Sequence, residues 1–250
     1  MLGILPALRA KSVLVQAGAT YMSGLTGNIS IPAYSGTNVT WEGEVSPASD
    51  GAGTFSEVKY EPKRLTAFVD VSNQFLLQDS NDAEQMLRND IVNVILEKLE
   101  KTLLGDEAGT ATKPAGIFNG VSADSADVTY KDIVNMEADL EDANVSGNIK
   151  FIVAPKAKAT LKTTQKGENA GFVMQNGEVE GYDVLCSSAV AANGVLFGNF
   201  SDYVICQWGG ISLTVDPYTQ AANGKVRLVV NAYFDGKPRR EEAFVKRVLK

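Results

Sequence analysis

The longest helical pattern in this chain runs from Asn81 to Leu104, and its length limits how the remainder can fold. Asn81-Asp82-Ala83-Glu84 reads as a capping-box start, and Gly105 as the stop. Between them Leu87, Ile91, Val94, Ile95, Leu99 and Leu103 form an apolar stripe, with Glu97 and Lys101 set as an i,i+4 pair. A helix of about 22 residues is roughly 33 Å long, longer than the average helix of a globular domain. Such a helix is hard to justify inside one compact monomer.

Upstream the pattern is that of β-structure. Asn28-Ile29-Ser30-Ile31-Pro32 reads as a short strand ended by proline, and Thr37 to Glu44 alternates as a strand does. Ser46 to Thr54 is a turn-forming stretch almost without core-building side chains, and Phe55 to Ser72 returns with Leu65, Ala67, Val69 and Val71 on one face. Together these segments describe a long hairpin over Thr37–Ser72 with a side-chain-poor tip. A two-stranded ribbon is marginal in water and exposes unpaired edges, so one carrying Trp41, Phe55, Tyr60 and Phe68 must lie against something. Its own domain and a neighbouring subunit are both open at this point.

Downstream, helices are expected at Tyr130–Ala143 and at Pro155–Thr163, the second opened by its proline. Strands are expected at Lys150–Ala154, Tyr182–Cys186, Val195–Gly198, Tyr203–Trp208, Ile211–Val215, Lys225–Phe234 and Glu242–Leu249. The class is α+β. A compact mixed unit occupies Asp124–Val215, and a second unit combines the hairpin, the long helix and the C-terminal strands.

Chemistry is conspicuous by what is missing. The chain has no histidine, which removes the commonest general base, the usual metal ligand and every Ser-His or Cys-His nucleophile. Neither phosphate-cradling glycine motif occurs; Gly105-Asp106-Glu107-Ala108-Gly109-Thr110 lacks the necessary lysine. Glu42 with Glu44, and Asp139 with Glu141 and Asp142, are the densest acid groups, the latter reading as a solvated helix face, as do Lys156, Lys158 and Lys162. Cys186 and Cys206 sit in apolar strands and are expected buried, without a disulfide framework or zinc spacing. A net charge of −7 argues against a broad basic nucleic-acid grip, and no apolar run approaches a bilayer span. No catalytic residue, cofactor or metal is expected. A carboxylate-dependent hydrolase is the competing class, and it requires a pocket holding two acids with shifted pKa values.

Several stretches, in order, resemble the major capsid proteins of tailed phages with the Hong-Kong-type shell fold. Trp41-Glu42-Gly43-Glu44 is similar to the start of that family's extended loop, Phe55–Ser72 to its return arm, and Asp82–Leu104 to its spine helix. Leu104-Gly105-Asp106 through Pro114-Ala115-Gly116-Ile117, Val153-Ala154-Pro155, Gly181-Tyr182-Asp183-Val184, Phe197-Gly198-Asn199-Phe200-Ser201 and Lys225–Phe234 carry the likeness onward. The resemblance implies an N-terminal arm with lead-in strands (1–36), an extended loop hairpin (37–72), a peripheral domain with the spine helix (73–123), an axial domain (124–215), and C-terminal strands (216–250) returning to the peripheral domain.

It further implies a shell: pentamers and hexamers of this chain closing around double-stranded DNA that is enclosed without sequence-specific binding. Scaffold, protease and portal proteins are the expected partners, no membrane is involved, and the location is a virion assembled in the bacterial cytoplasm. An encapsulin-type compartment with the same fold is the alternative. The resemblance makes Trp41, Glu44, Phe55, Glu57, Lys59, Tyr60, Lys63 and Arg64 the inter-subunit contact candidates. The family's cleaved scaffolding segment is expected to be absent or supplied by a separate protein, since the likeness begins near residue 5. Where some relatives carry a crosslinking loop lysine this chain has Glu57, with Lys59 and Lys63 nearby and only Asn223 or Asn231 as acceptors. Assembled particles are therefore expected to run at the monomer position on a denaturing gel; a covalent ladder would overturn this.

Overall fold

The computed structural model describes residues 12–34, 39–42, 44, 47, 49–50, 55–74 and 80–250. In chain order the elements are α1 (Val13–Ala17), β1 (Thr20–Leu25), β2 (Ile29–Tyr34), β3 (Phe55–Tyr60), β4 (Lys63–Ser72) and the long α2 (Ser80–Leu103). Then come α3 (Tyr130–Asp142), β5 (Ile149–Val153), α4 (Pro155–Thr163), β6 (Met174–Gln175), β7 (Glu178–Val179) and β8 (Tyr182–Cys186). The last strands are β9 (Gly194–Asn199), β10 (Tyr203–Asp216), β11 (Lys225–Pro238) and β12 (Phe244–Val248).

Among the described residues the strands form three sheets. A four-stranded sheet has the order β1-β10-β11-β4, a six-stranded sheet the order β12-β9-β5-β8-β7-β6, and β2 with β3 makes a separate two-stranded ribbon. The six-stranded sheet grows from the parallel pair β5 and β8, joined through α4, because parallel neighbours need a crossover. Phe151 stacks on Phe197 with centroids 4.0 Å apart, and Tyr182 meets Phe197 edge-on at 5.0 Å. The Tyr182 hydroxyl donates to Glu137 of α3 at 3.0 Å, which places α3 on that face. A reciprocal cap starts α3: the Thr129 N–H donates to the Asp132 carboxylate at 2.8 Å, and the Asp132 N–H donates to the Thr129 hydroxyl.

On the four-stranded sheet α2 buries Val92, Ile95, Leu96, Leu99 and Leu103. Val94, expected in the buried stripe, is exposed, because the observed 92-95-96-99-103 spacing turns it away from the sheet. One turn before the helix ends, Glu100 is only 7% exposed, and its carboxylate accepts the Val13 N–H of α1 at 2.5 Å. Ser12 and the Leu14 N–H also bond to it. The helix thus holds the segment that leads into β1.

Four expectations need correction. Thr37–Glu44 is not the second arm of the hairpin: residues 39–42 lie outside any strand, and the partner of Phe55–Tyr60 is Ile29–Tyr34. Pro32 lies inside β2, tolerated because each strand of a two-stranded ribbon has an unpaired side for the missing N–H. Lys63–Ser72 accordingly belongs to the four-stranded sheet, paired with β11, instead of to the hairpin. Tyr203–Trp208 and Ile211–Val215 are one strand, interrupted in register after Trp208 where Gly209 takes a φ of +60°.

The two units exchange strands relative to expectation. β10 leaves the 124–215 unit for the four-stranded sheet, and β12 pairs with β9 in the six-stranded one. Gly198 permits that pairing, since a Cβ there would sit 2.7 Å from the Phe244 ring and closer still to the Ala243 carbonyl. Finally, Cys186 is exposed at the end of β8, whereas Cys206 is buried and its thiol is pushed up to about 12, chiefly by burial. The expected lead-in at residues 1–11, the side chains of the Asn81–Glu84 cap, and the Ser46–Thr54 tip apart from Pro47, Ser49 and Asp50 lie outside the described residues.

Burial holds the Glu100 carboxyl above its ordinary range, against the lowering effect of its hydrogen bonds. A raised value means the protonated form is favoured by folding. Its contribution is therefore complete below about pH 4 and declines as the pH rises through the folded value. Glu100→Gln should flatten that decline in urea-unfolding measurements across the acid range. Glu100→Ala strands the half-buried Val13 N–H and should cost about 1–3 kcal/mol at any pH.

Candidate assembly surfaces

The ribbon does not stand free along its whole length. Ile31 and Val58 turn inward at directly paired positions, and with Met22 and Leu25 they cover Tyr60, Val204, Cys206 and Trp208. This is a second apolar core, separate from the main one, on the face of the four-stranded sheet opposite α2. The Trp208 indole N–H donates to the Gly27 carbonyl at 2.5 Å, which fixes the turn between β1 and β2. Tyr60 is fully buried, so its phenol is pushed above its ordinary range by desolvation.

Where the ribbon returns to the sheet, a buried carboxylate takes over. Asp235 on β11 is 2% exposed and accepts the Glu61 N–H at 3.1 Å and the Gly236 N–H at 3.0 Å. The Lys63 ammonium pairs with it at 3.0 Å, its own side chain 14% exposed. The carboxylate therefore grips both sides of the Glu61-Pro62 corner that separates β3 from β4. Sequence reasoning missed it, since the strand was expected to end at Phe234; an acid inside a sustained β pattern was the available signal.

The eight expected contact residues divide on this geometry. Tyr60 and Lys63 are taken up within their own subunit, and Tyr60 has no surface left for a neighbour. Trp41 is fully exposed, and Glu44, Glu57, Lys59 and Arg64 are exposed too. Glu57 accepts a bond from Ser30 across the ribbon at 3.0 Å, and Arg64 donates to Asn231 at 2.8 Å. The Phe55 backbone pairs with Tyr34, and its side chain lies outside the described residues.

Beyond the ribbon the same sheet face is open. Phe68 is 61% exposed with the Arg227 guanidinium 4.2 Å above its ring, and Arg227 binds Asp70 through two bonds of 2.7 and 2.8 Å. That pairing holds the Asp70 carboxyl below its usual range. A cleft of about 260 Å³ beside the end of α2 is lined by Lys98, Lys101, Asp106, Glu107 and residues 188–192. Glu107 is paired with Lys113, which lowers its pKa, as befits an ion-pair partner and not a general acid. Among the described residues no group of three acids or cysteines could hold a metal, and no helix is long and apolar enough to cross a membrane.

A long helix on one sheet, a second sheet with its own helices, and an anchored ribbon carrying exposed groups make up the described fold. The model of the phage capsid family matches residues 2–249, and the chain belongs to that family. It is 29% identical over 246 residues to the major capsid protein of Halomonas phage phiHAP-1, covering 95% of this chain and 40% of that protein. Against the major capsid protein of Klebsiella oxytoca phage phiKO2 it is 24% identical over 234 residues, covering 84% of this chain and 54% of the relative. The chain thus spans about half, or less, of the length of these curated relatives. Among solved structures, the capsid of the native GTA particle matches with a TM-score of 0.75 at 16% identity, over 94% of this chain and 89% of that one. A structure from Microbacterium phage Oxtober96 matches with a TM-score of 0.72 at 13% identity, over 96% and 91%. The fold is that of the phage capsids.

The Asp235 anchor makes a direct prediction. Asp235→Ala leaves the Lys63 ammonium and the Glu61 N–H without their acceptor and should cost about 3–5 kcal/mol, read as a lowered urea midpoint. A change below about 0.5 kcal/mol would show that the corner is held otherwise.

Proposed function

We propose that many copies of this chain close into the icosahedral head of a tailed phage around double-stranded DNA. The observation that carries the reading is the family match across nearly the whole chain. Both curated relatives are phage major capsid proteins, which favours a phage head over the encapsulin-type compartment. In this reading the protein is structural and not an enzyme. Enclosure without gripping suits a net charge of −7, since repulsion keeps packaged phosphate off the wall.

The parts then take distinct positions. The six-stranded sheet with α3 and α4 serves as the axial domain around five-fold and six-fold axes, and the four-stranded sheet with α2 as the peripheral domain. The ribbon and its continuation through Trp41 and Glu44 reach across a neighbour, with Phe55, Glu57, Lys59 and Arg64 along the contact. Scaffold, protease and portal proteins would serve assembly, in the cytoplasm of a bacterial host, and the product is a virion.

Negative-stain microscopy and sedimentation of the purified chain test this, with uniform closed shells or capsomer rings expected. A chain that stays monomeric under every assembly condition would overturn it. Trp41→Ala isolates the arm's part: the ring is fully exposed, so the melting temperature should stay within the range of a ~0.5 kcal/mol surface change while assembly weakens. Unimpaired assembly of that variant would remove Trp41 from the contact.

A further inference from the structure

Two helices of the six-stranded unit carry charge of the wrong sign at their ends. The last turn of α3 holds Asp139, Glu141 and Asp142, all exposed, and no basic residue. The negative end of the helix dipole opposes such carboxylates. At the start of α4 the situation is reversed: Lys156 and Lys158 follow Pro155, the first turn has no acid, and Ala154 supplies no side-chain cap. None of these five side chains forms an ion pair among the described residues, although the same unit pairs Lys150 with Asp183 and Arg247 with Asp124 and Asp132. Arg240 comes near the end of α3, but it touches the Ala143 carbonyl, at 3.5 Å, and not the carboxylates.

The two ends cannot neutralise each other within one subunit. Strand β5 lies between them in the chain, so they sit at opposite ends of a five-residue strand, about 17 Å long. Nor do the carboxylates converge on a point where a metal ion could sit, among the described residues. What relieves both ends together is a second copy, with the acidic end of α3 set against the basic start of α4. Side-chain charges and helix dipoles then attract in the same sense.

We propose that α3 of one copy docks by Asp139, Glu141 and Asp142 onto Lys156 and Lys158 of α4 in the next. The contact joins two different patches, so it is head-to-tail, and repeated rotation closes a ring. It rests on the shell reading and specifies which faces meet around the axes.

Charge reversal tests it in the full chain. Asp139→Lys with Glu141→Lys and Asp142→Lys, and separately Lys156→Glu with Lys158→Glu, should each lower the ring or shell fraction by about tenfold or more at low salt. Because each change puts favourable charge at a helix end, the melting temperature of the subunit should hold or rise, which separates lost docking from lost folding. Combining both sets should restore assembly. Mixing the two singly reversed chains permits only alternating order, so only even-numbered rings should appear. Reversed chains that assemble like the unaltered protein would overturn the inference and leave the shell reading intact. An unaltered protein that never associates would overturn both.

Discussion

The C-terminal turns of the long helix are the point on which the architecture depends. Leu103 and Leu104 are fully buried there, and their carbonyls accept N–H bonds from Ile117 at 2.8 Å and Ala191 at 2.9 Å. Leu103 also lies so close to Gly236 of β11 that a Cβ there would sit 3.0 Å from its methyl groups. One turn earlier Glu100 holds α1. One helix end thus meets the four-stranded sheet, the loop beside the six-stranded sheet, and the entry to β1. Their cores merge into one apolar cluster, so the two sheets share a single interior.

The ribbon depends on a different balance. Its few inward side chains are too few to hold a two-stranded structure alone, so it borrows the outer face of β1 and β10 and a buried carboxylate at its corner. The remainder of that sheet face stays uncovered, with Phe68 and the Arg227–Asp70 pair on it. Phe68 is thus an open aromatic beside an ion pair, on the part of the face that the ribbon leaves bare.

Legibility in the sequence followed how local each signal was. The helix at Pro155–Thr163 was readable to the residue, because its proline fixes the start by backbone geometry alone. The ends of α3 were nearly as clear, expected at Tyr130–Ala143 and found at Tyr130–Asp142. Pairing was not legible where alternation occurred twice: Thr37–Glu44 alternates well, yet Ile31 and Val58 find the apolar surface of Trp208 and Cys206, a contact far away in sequence. The same long-range choice sends β12 to Gly198. Most contact candidates proved surface groups, but Tyr60 and Lys63 did not, since only the fold brings Asp235 to them.

The corner at Glu61-Pro62 gives the ribbon the mechanics of a cantilever. Its root is clamped by the Lys63–Asp235 ion pair and the Glu61 N–H, with Tyr60 bonded to the Lys237 carbonyl, and beyond Ile31 and Val58 its two strands pair with each other. A load applied at its outer end, where Tyr34 pairs with Phe55, is met first by Ile31 and Val58 against Trp208 and Cys206 and then by the clamp. From there it passes through Asp235 into β11, and through β11 into the sheet that carries the long helix. A ribbon so mounted couples the position of its outer end, at Tyr34 and Phe55, to the sheet that carries the long helix.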